Sequence, residues 1–188
     1  MGLISLIVGG IVDANRAIKT NKASNDDSYN NVVVDNKYSI NVPSFLSPMK
    51  DVNEDVSLAY ANKTLDIAFQ IIDEPKTDFV EVLKDLDEMN LTLGDTLLDK
   101  MALVSLNNMF DVDKIEITDY NHLQINGLNA VLLNVFQKRT FFKDALYGSF
   151  AFVEGKDTLY QIIILSGGTS IRKLADKLEV SIHSFKEL

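Results

Sequence analysis

The amino-acid sequence predicts an α+β domain, an antiparallel sheet of about six strands with helices packed on it, preceded by a separate N-terminal amphipathic helix. Three observations carry this. Several short runs alternate apolar and polar residues with period two and are separated by turn residues, the pattern of strands buried on one face. Other stretches repeat apolar residues at spacings of three and four, the pattern of amphipathic helices. The order is strands, two helices, strands, helix, without the regular βαβ alternation that a parallel sheet requires.

The elements can be justified in order. Residues 1–20 contain Leu3, Ile4, Ile7, Val8, Ile11, Ala14 and Ile18 on one helical stripe, with Ser5, Asp13, Arg16 and Thr20 mostly opposite. Residues 21–31 are polar and read as a linker. The domain proper is expected over 32–188. Val32-Val-Val and Tyr38-Ser-Ile-Asn-Val42 are strands joined by an Asp35-Asn36 turn, the second stopped by Pro43. Val56–Tyr60 and Leu65–Ile71 alternate around Asn62-Lys63 as a hairpin. A helix over Asp78–Met89 is expected to open with an Asp78/Glu81 capping box and to bury Phe79, Leu83 and Leu86. A second helix carries Leu97, Leu98, Met101, Val104 and Met109 after the Gly94-Asp95 break.

Strands follow at Lys114–Thr118, His122–Asn126, Leu128–Gln137, Tyr147–Val153 and Thr158–Leu165. Asn126-Gly127 is the strongest short turn signal, and Gly155 centres the last hairpin. A closing helix places Ile171, Leu174, Ala175, Leu178, Ile182 and Phe185 on one face.

Composition excludes several function classes. The chain of 188 residues has no cysteine, so it has no disulfide framework, thiolate metal site or cysteine nucleophile. Its 18 basic and 27 acidic residues leave a net charge of -9, which repels phosphate backbones and disfavours nucleic-acid binding. The two histidines, His122 and His183, have no Ser-His-Asp or metal-ligand spacing around them. Asp26-Asp27 and Asp111-Val-Asp113 lack the twelve-residue loop pattern of a calcium site and read as solvated turns. No cofactor, metal or catalytic set is expected.

Three segments are candidates for binding. The stripe of Leu3, Ile4, Ile7, Val8 and Ile11 suits a docking helix, and Gly9 and Gly10 would permit close approach of a second helix. Its target is another protein, a second copy or a membrane surface; a signal peptide over residues 1–14 is the competing reading, although it lacks a basic leader. Lys138, Arg139, Phe141 and Phe142 combine cations with adjacent aromatics, of which one sheet face can bury only one. The exposed ring would serve as an anchor for a protein partner. Gly167, Gly168, Thr169 and Ser170 lead from a strand into a helix, where free backbone N–H groups attract anions; the full phosphate-loop spacing is absent.

Tyr38-Ser-Ile-Asn-Val-Pro43, Asn126-Gly-Leu-Asn-Ala130, Tyr160-Gln-Ile-Ile163 and Ser184-Phe-Lys186, in this order of elements, resemble the PsbP-like fold family. That family includes the DcrB lipoproteins, the Ran-binding Mog proteins and the Eag chaperones of type VI secretion. The resemblance covers roughly 32–188 and is greatest to small bacterial members. It implies a PsbP/Mog-like fold and a non-catalytic accessory, adaptor or secretion-chaperone domain, with no catalytic residues to carry over. The N-terminal helix departs from the pattern of the lipoprotein members, whose signals end in cysteine. The expected location is cytoplasmic, at a membrane surface if residues 1–18 lie in the lipid interface, or periplasmic if residues 1–14 act as a signal.

Overall fold

A computed structural model describes residues 19–20, 22–50, 52–83, 93–138, 145–167 and 170–188. The strands are β1 (Tyr29–Val34), β2 (Tyr38–Pro43), β3 (Ser47–Pro48), β4 (Val56–Asn62), β5 (Ile67–Pro75), β6 (Ile115–Ile125), β7 (Leu128–Gln137), β8 (Leu146–Glu154), β9 (Thr158–Ser166) and β10 (Lys186–Glu187). Helix α1 is described over Lys76–Leu83, and α2 (Leu97–Met109) and α3 (Ser170–His183) follow, with a 3-10 turn at Val112–Lys114 before β6. Seven strands form one sheet in the order β3-β4-β5-β9-β8-β7-β6, and β1-β2-β10 form a second of three. All pairings are antiparallel.

Two differences from the expected strands offset each other in the large sheet of seven. Ser47–Pro48 pairs with Ala61 and Tyr60 and adds an edge. Conversely, the two strands expected at Lys114–Thr118 and His122–Asn126 are one strand with an irregular register between Ile117 and Asp119. The first helix starts at Lys76, not Asp78. Pro75 still pairs with Thr158, and the Lys76 N–H donates to the Asp157 carbonyl at 3.0 Å, so the chain turns directly from strand into helix. Asp78 therefore lies inside the first turn and not at the start of the helix. Leu65 is a buried turn residue rather than part of a strand, because Asp66 takes a φ of 57° before β5 begins.

The large sheet is covered on both faces, which explains the unbroken apolar run of β9. Every residue from Leu159 to Ser166 is buried, as expected for a central strand with a layer on each side. On one face Phe150, Phe152, Leu159 and Ile163 pack against Phe79, Leu98, Met101 and Leu106 of α1 and α2. On the other, Phe69, Ile162 and Ile164 pack against Tyr38, Ile40 and Val42 of β2 and Leu174, Leu178 and Ile182 of α3. Ala175, expected on the buried stripe of α3, is exposed, and Ser181 is buried instead.

The polar segment before the domain is tied to it where it is described. Ala23 is buried in the core, the Asp26 carboxylate accepts from the Ser28 N–H and the Ser44 hydroxyl, and Lys177 donates to the Asp26 carbonyl and the Asp27 carboxylate. The hydrogen bonds from Ser28 and Ser44 pull the Asp26 carboxyl down to about 2. Strand β1 begins at Tyr29 rather than Val32.

The chain end closes the fold. Phe185 is fully buried, with its ring 5.3 Å from that of Tyr38 and 4.8 Å from that of Tyr160. Asn126 sits in the β6–β7 turn at a φ of 49°, and its amide donates to the carbonyls of His183 (3.1 Å) and Phe185 (2.7 Å). Glu187 accepts from the Lys156 N–H and the Tyr160 hydroxyl, and a Cβ on Gly155 would stand 2.2 Å from its carboxylate. Asn126→Ala removes both carbonyl contacts and leaves a side chain in a left-handed backbone. It is expected to lower stability by about 1–3 kcal/mol, measured as a shift in the urea midpoint; an unchanged midpoint would mean that the turn does not hold the chain end.

Candidate functional site

Among the described residues, a cluster of polar side chains around a buried carboxylate lies where α2 begins beside the middle of β6. Thr96 caps α2: its hydroxyl accepts from the Asp99 N–H at 3.2 Å, and the Asp99 carboxylate accepts from the Thr96 N–H at 3.0 Å. This reciprocal box satisfies two donors that every helix start leaves open. Gly94 makes room for it, since a Cβ there would lie 2.3 Å from Asp99 Oδ2. The other carboxylate oxygen, Oδ1, receives the Tyr120 hydroxyl and stands 3.0 Å from His122 Nε2. The Tyr120 and His122 rings meet edge to face at 5.5 Å.

The register irregularity in β6 makes this meeting possible. Ile115 and Ile117 face α2, and after the irregularity at Ile117/Asp119 it is Tyr120 that packs on that side, while Leu123 and Ile125 pack on the opposite face. A β-bulge adds one residue and so exchanges the faces of everything beyond it. Without it, Asp119 and Asn121 would face Asp99 in place of Tyr120 and His122.

The electrostatics follow from this geometry. Burial opposes ionisation of Asp99, but the donors from Tyr120 and Thr96 and the nearby His122 outweigh it and hold the carboxyl below its ordinary value. Burial, with the adjacent carboxylate, pushes the Tyr120 hydroxyl well above the usual phenol range. The Asp99 side chain is 2% exposed and that of His122 is 52% exposed. The carboxylate thus orients a half-exposed imidazole through its Nε2. Chemically, the arrangement is a clasp: one buried carboxylate ties the start of a helix to an edge strand and orients one exposed imidazole.

Sequence reasoning missed this cluster. Thr96-x-x-Asp99 has capping-box spacing, and Tyr120 and His122 share a strand face, so both halves had a local signal; only the bulge and the helix docking unite them. His183, the other histidine, ends α3 with Glu179 Oε1 at 3.6 Å. It borders a shallow open groove with Asp176, Val180 and Ser184.

The residues named from the sequence do not converge on this site. Lys138 is exposed just after β7, whose Gln137 pairs with Ile115 and Leu146. Arg139, Phe141 and Phe142 lie outside the described residues, as do Leu3, Ile4, Ile7, Val8 and Ile11. Of the anion-binding candidates, Gly167 donates its N–H to the Asp66 carbonyl at 3.3 Å and Ser170 opens α3, while Gly168 and Thr169 lie outside the described residues. Among the described residues no three His, Cys, Asp or Glu side chains come together as a metal site.

The architecture is that of the PsbP/Mog fold, an antiparallel sheet covered by helices on one face and by a helix with a small sheet on the other. The solved structure of the cyanobacterial PsbP protein CyanoP from Synechocystis shares it, with a TM-score of 0.57 and 10% identity over 86% of this chain and 94% of its own. The Ran-binding protein Mog1p of Saccharomyces cerevisiae also shares it, with a TM-score of 0.56 and 13% identity over 85% of this chain and 96% of its own. At such identities the likeness is one of fold. No family model matches the chain, and no curated protein matches it by sequence.

Proposed function

We propose that this protein is a non-catalytic binding domain, an accessory, adaptor or secretion chaperone of a bacterial cell, working on the cytoplasmic side. The observation that carries the reading is the fold shared along nearly the full length of Mog1p, a protein described as Ran-binding. The clasp fits the same reading, because the Asp99 carboxylate is engaged inside the fold by Thr96, Tyr120 and His122 rather than presented to a substrate.

In this proposal residues 1–20 form a docking helix, the polar stretch after it leads into the fold, and the binding domain runs from β1, which begins at Tyr29, to Leu188. Leu3, Ile4, Ile7, Val8 and Ile11 engage the partner, with Lys138, Arg139, Phe141 and Phe142 as a second contact. Burying five such apolar side chains would contribute on the order of 7–15 kcal/mol before ordering costs, at about 1.5–3 kcal/mol each. That suffices to drive association outside the chain's own domain. The same stripe also suits a lipid interface, so the alternative is a peripheral membrane or envelope protein held by residues 1–18.

The double substitution Ile7→Asp and Ile11→Asp separates the readings. Loss of a co-purifying protein partner, or of self-association at the dilute concentrations of purification, with vesicle binding unchanged, is the expected result. Loss of vesicle binding alone selects the membrane reading. A variant with the same assembly, partners and lipid affinity as the parent would show the segment to be only a tail.

A further inference from the structure

The two sheets end in four strand edges, and three of them carry features that discourage further pairing. Strand β3 is two residues long and contains Pro48. Strand β10 is two residues long and consists of Lys186 and Glu187. Strand β6 is broken by its irregular register and carries Glu116 and Asp119. Short strands, proline, bulges and charges are the means by which proteins keep open edges from pairing with other chains.

Strand β1 has none of these. It reads Tyr29-Asn-Asn-Val-Val-Val34, six residues without charge, proline or glycine. Its ladder with β2 is regular from Tyr29↔Pro43 to Val34↔Tyr38, and among the described residues it pairs with β2 alone. In such a ladder, alternate residues turn their N–H and C=O groups away from the neighbouring strand. Val33 is 53% exposed. On the same face Asn31 donates from its side-chain amide to the Asn41 side-chain carbonyl at 2.9 Å, an uncharged pair across the ladder.

We infer that the β1 edge is a self-pairing surface, and that its occupant is β1 of a second copy of this chain, antiparallel, joining two three-stranded sheets into one of six. The charge distribution favours a copy. The chain carries a net charge of -9, so two molecules repel each other over most of their surfaces. Strand β1 is a segment on which a charged side chain never meets its own duplicate. With the two-fold axis through Val32, Asn31 stands opposite Val33, Asn30 opposite Val34, and Val32 opposite itself. Such pairs of β-branched and amide side chains suit adjacent strands. A contact of six residues per chain is below the size of a standard stable interface, so the dimer forms at high concentration and exchanges rapidly.

This surface is independent of the N-terminal stripe, and the test keeps the two apart. Sedimentation of the parent, of Val33→Lys and of Ile7→Asp/Ile11→Asp is measured from micromolar to millimolar concentration, with amide hydrogen exchange followed in β1. The parent and the N-terminal variant are expected to dimerise reversibly and to protect alternate β1 amides as concentration rises. Val33→Lys places a cation opposite Asn31 of the other copy and brings the two cations to diagonal positions on one face of the joined sheet, and it is expected to weaken dimerisation at least about tenfold, since repulsion between diagonal neighbours and the loss of the β-branched contact both disfavour the strand pair. Circular dichroism and the urea midpoint confirm that the exposed substitution leaves the fold intact. A parent that stays monomeric throughout overturns the inference. So does a dimer that Val33→Lys leaves unchanged, or β1 protection that appears only with a different protein bound.

Discussion

Replacing Phe185 with alanine is expected to lower the stability of the folded chain by about 3–5 kcal/mol. Phe185 is fully buried, and its ring packs against those of Tyr38 and Tyr160, which themselves meet edge to face at 5.5 Å. These three rings come from β2, β9 and the segment after α3, so the substitution opens a cavity where the small sheet, the large sheet and the chain end join. Part of the loss is the transfer of an aromatic ring out of water, and the rest comes from the space left between groups that cannot collapse. At about 2–4 °C per kcal/mol for a domain of this size, the melting temperature should fall by roughly 6–20 °C. Leu188→Ala is the control: that side chain is 59% exposed, and its loss should change stability by less than about 0.5 kcal/mol. Equal effects of the two substitutions would show that the aromatic trio does not form.

Asp99→Ala is expected to cost about 2–4 kcal/mol, combining a lost helix cap with the unpaired donors it leaves at Thr96 and Tyr120. The more telling variant is Asp99→Asn, read against pH. The folded-state value of Asp99 lies below its ordinary one, because the donors from Tyr120 and Thr96 and the nearby His122 outweigh the opposing effect of burial. A depressed carboxyl stabilises the fold above the unfolded value of about 3.9, and that contribution disappears as pH falls through the folded value. The gap in urea midpoint between parent and Asp99→Asn should therefore be widest near neutral pH and shrink as pH drops below about 4. A gap of constant size across that range would mean that Asp99 carries no charge in the folded chain, and the clasp as described would be wrong.

Much of the fold was legible from short-range patterns. Alternation marked the strands, spacings of three and four marked α2 and α3, and Asn126-Gly127 marked a turn whose φ values of 49° and 85° bear it out. Phe185 is buried as expected, although it lies beyond the end of α3 at His183 and not on the stripe of that helix. The misses have local causes too. Ser47–Pro48 is too short to show alternation, and the polar run between Ile117 and His122 reads as a turn unless a bulge is allowed for. The helix at Lys76 began early because Asp157, far along the chain, receives its first N–H.

What the sequence determined by itself was most of the elements, the side of most that is apolar, and the absence of thiol chemistry, since periodicity and composition are properties of neighbouring residues. What only the tertiary structure decided was which elements meet. Tyr120 and His122 reach Asp99 because a bulge exchanges the faces of β6, and no count along the chain reveals which face an added residue will select. Glu187 fills the space beside Gly155 because β10 is laid along β2, a contact between residues 32 positions apart. Among the described residues β1 lies at an edge because β2, its neighbour, is paired on its far side by β10 from the chain end. Such relations come from packing, where the burial of distant apolar faces chooses among arrangements that local preference leaves equal.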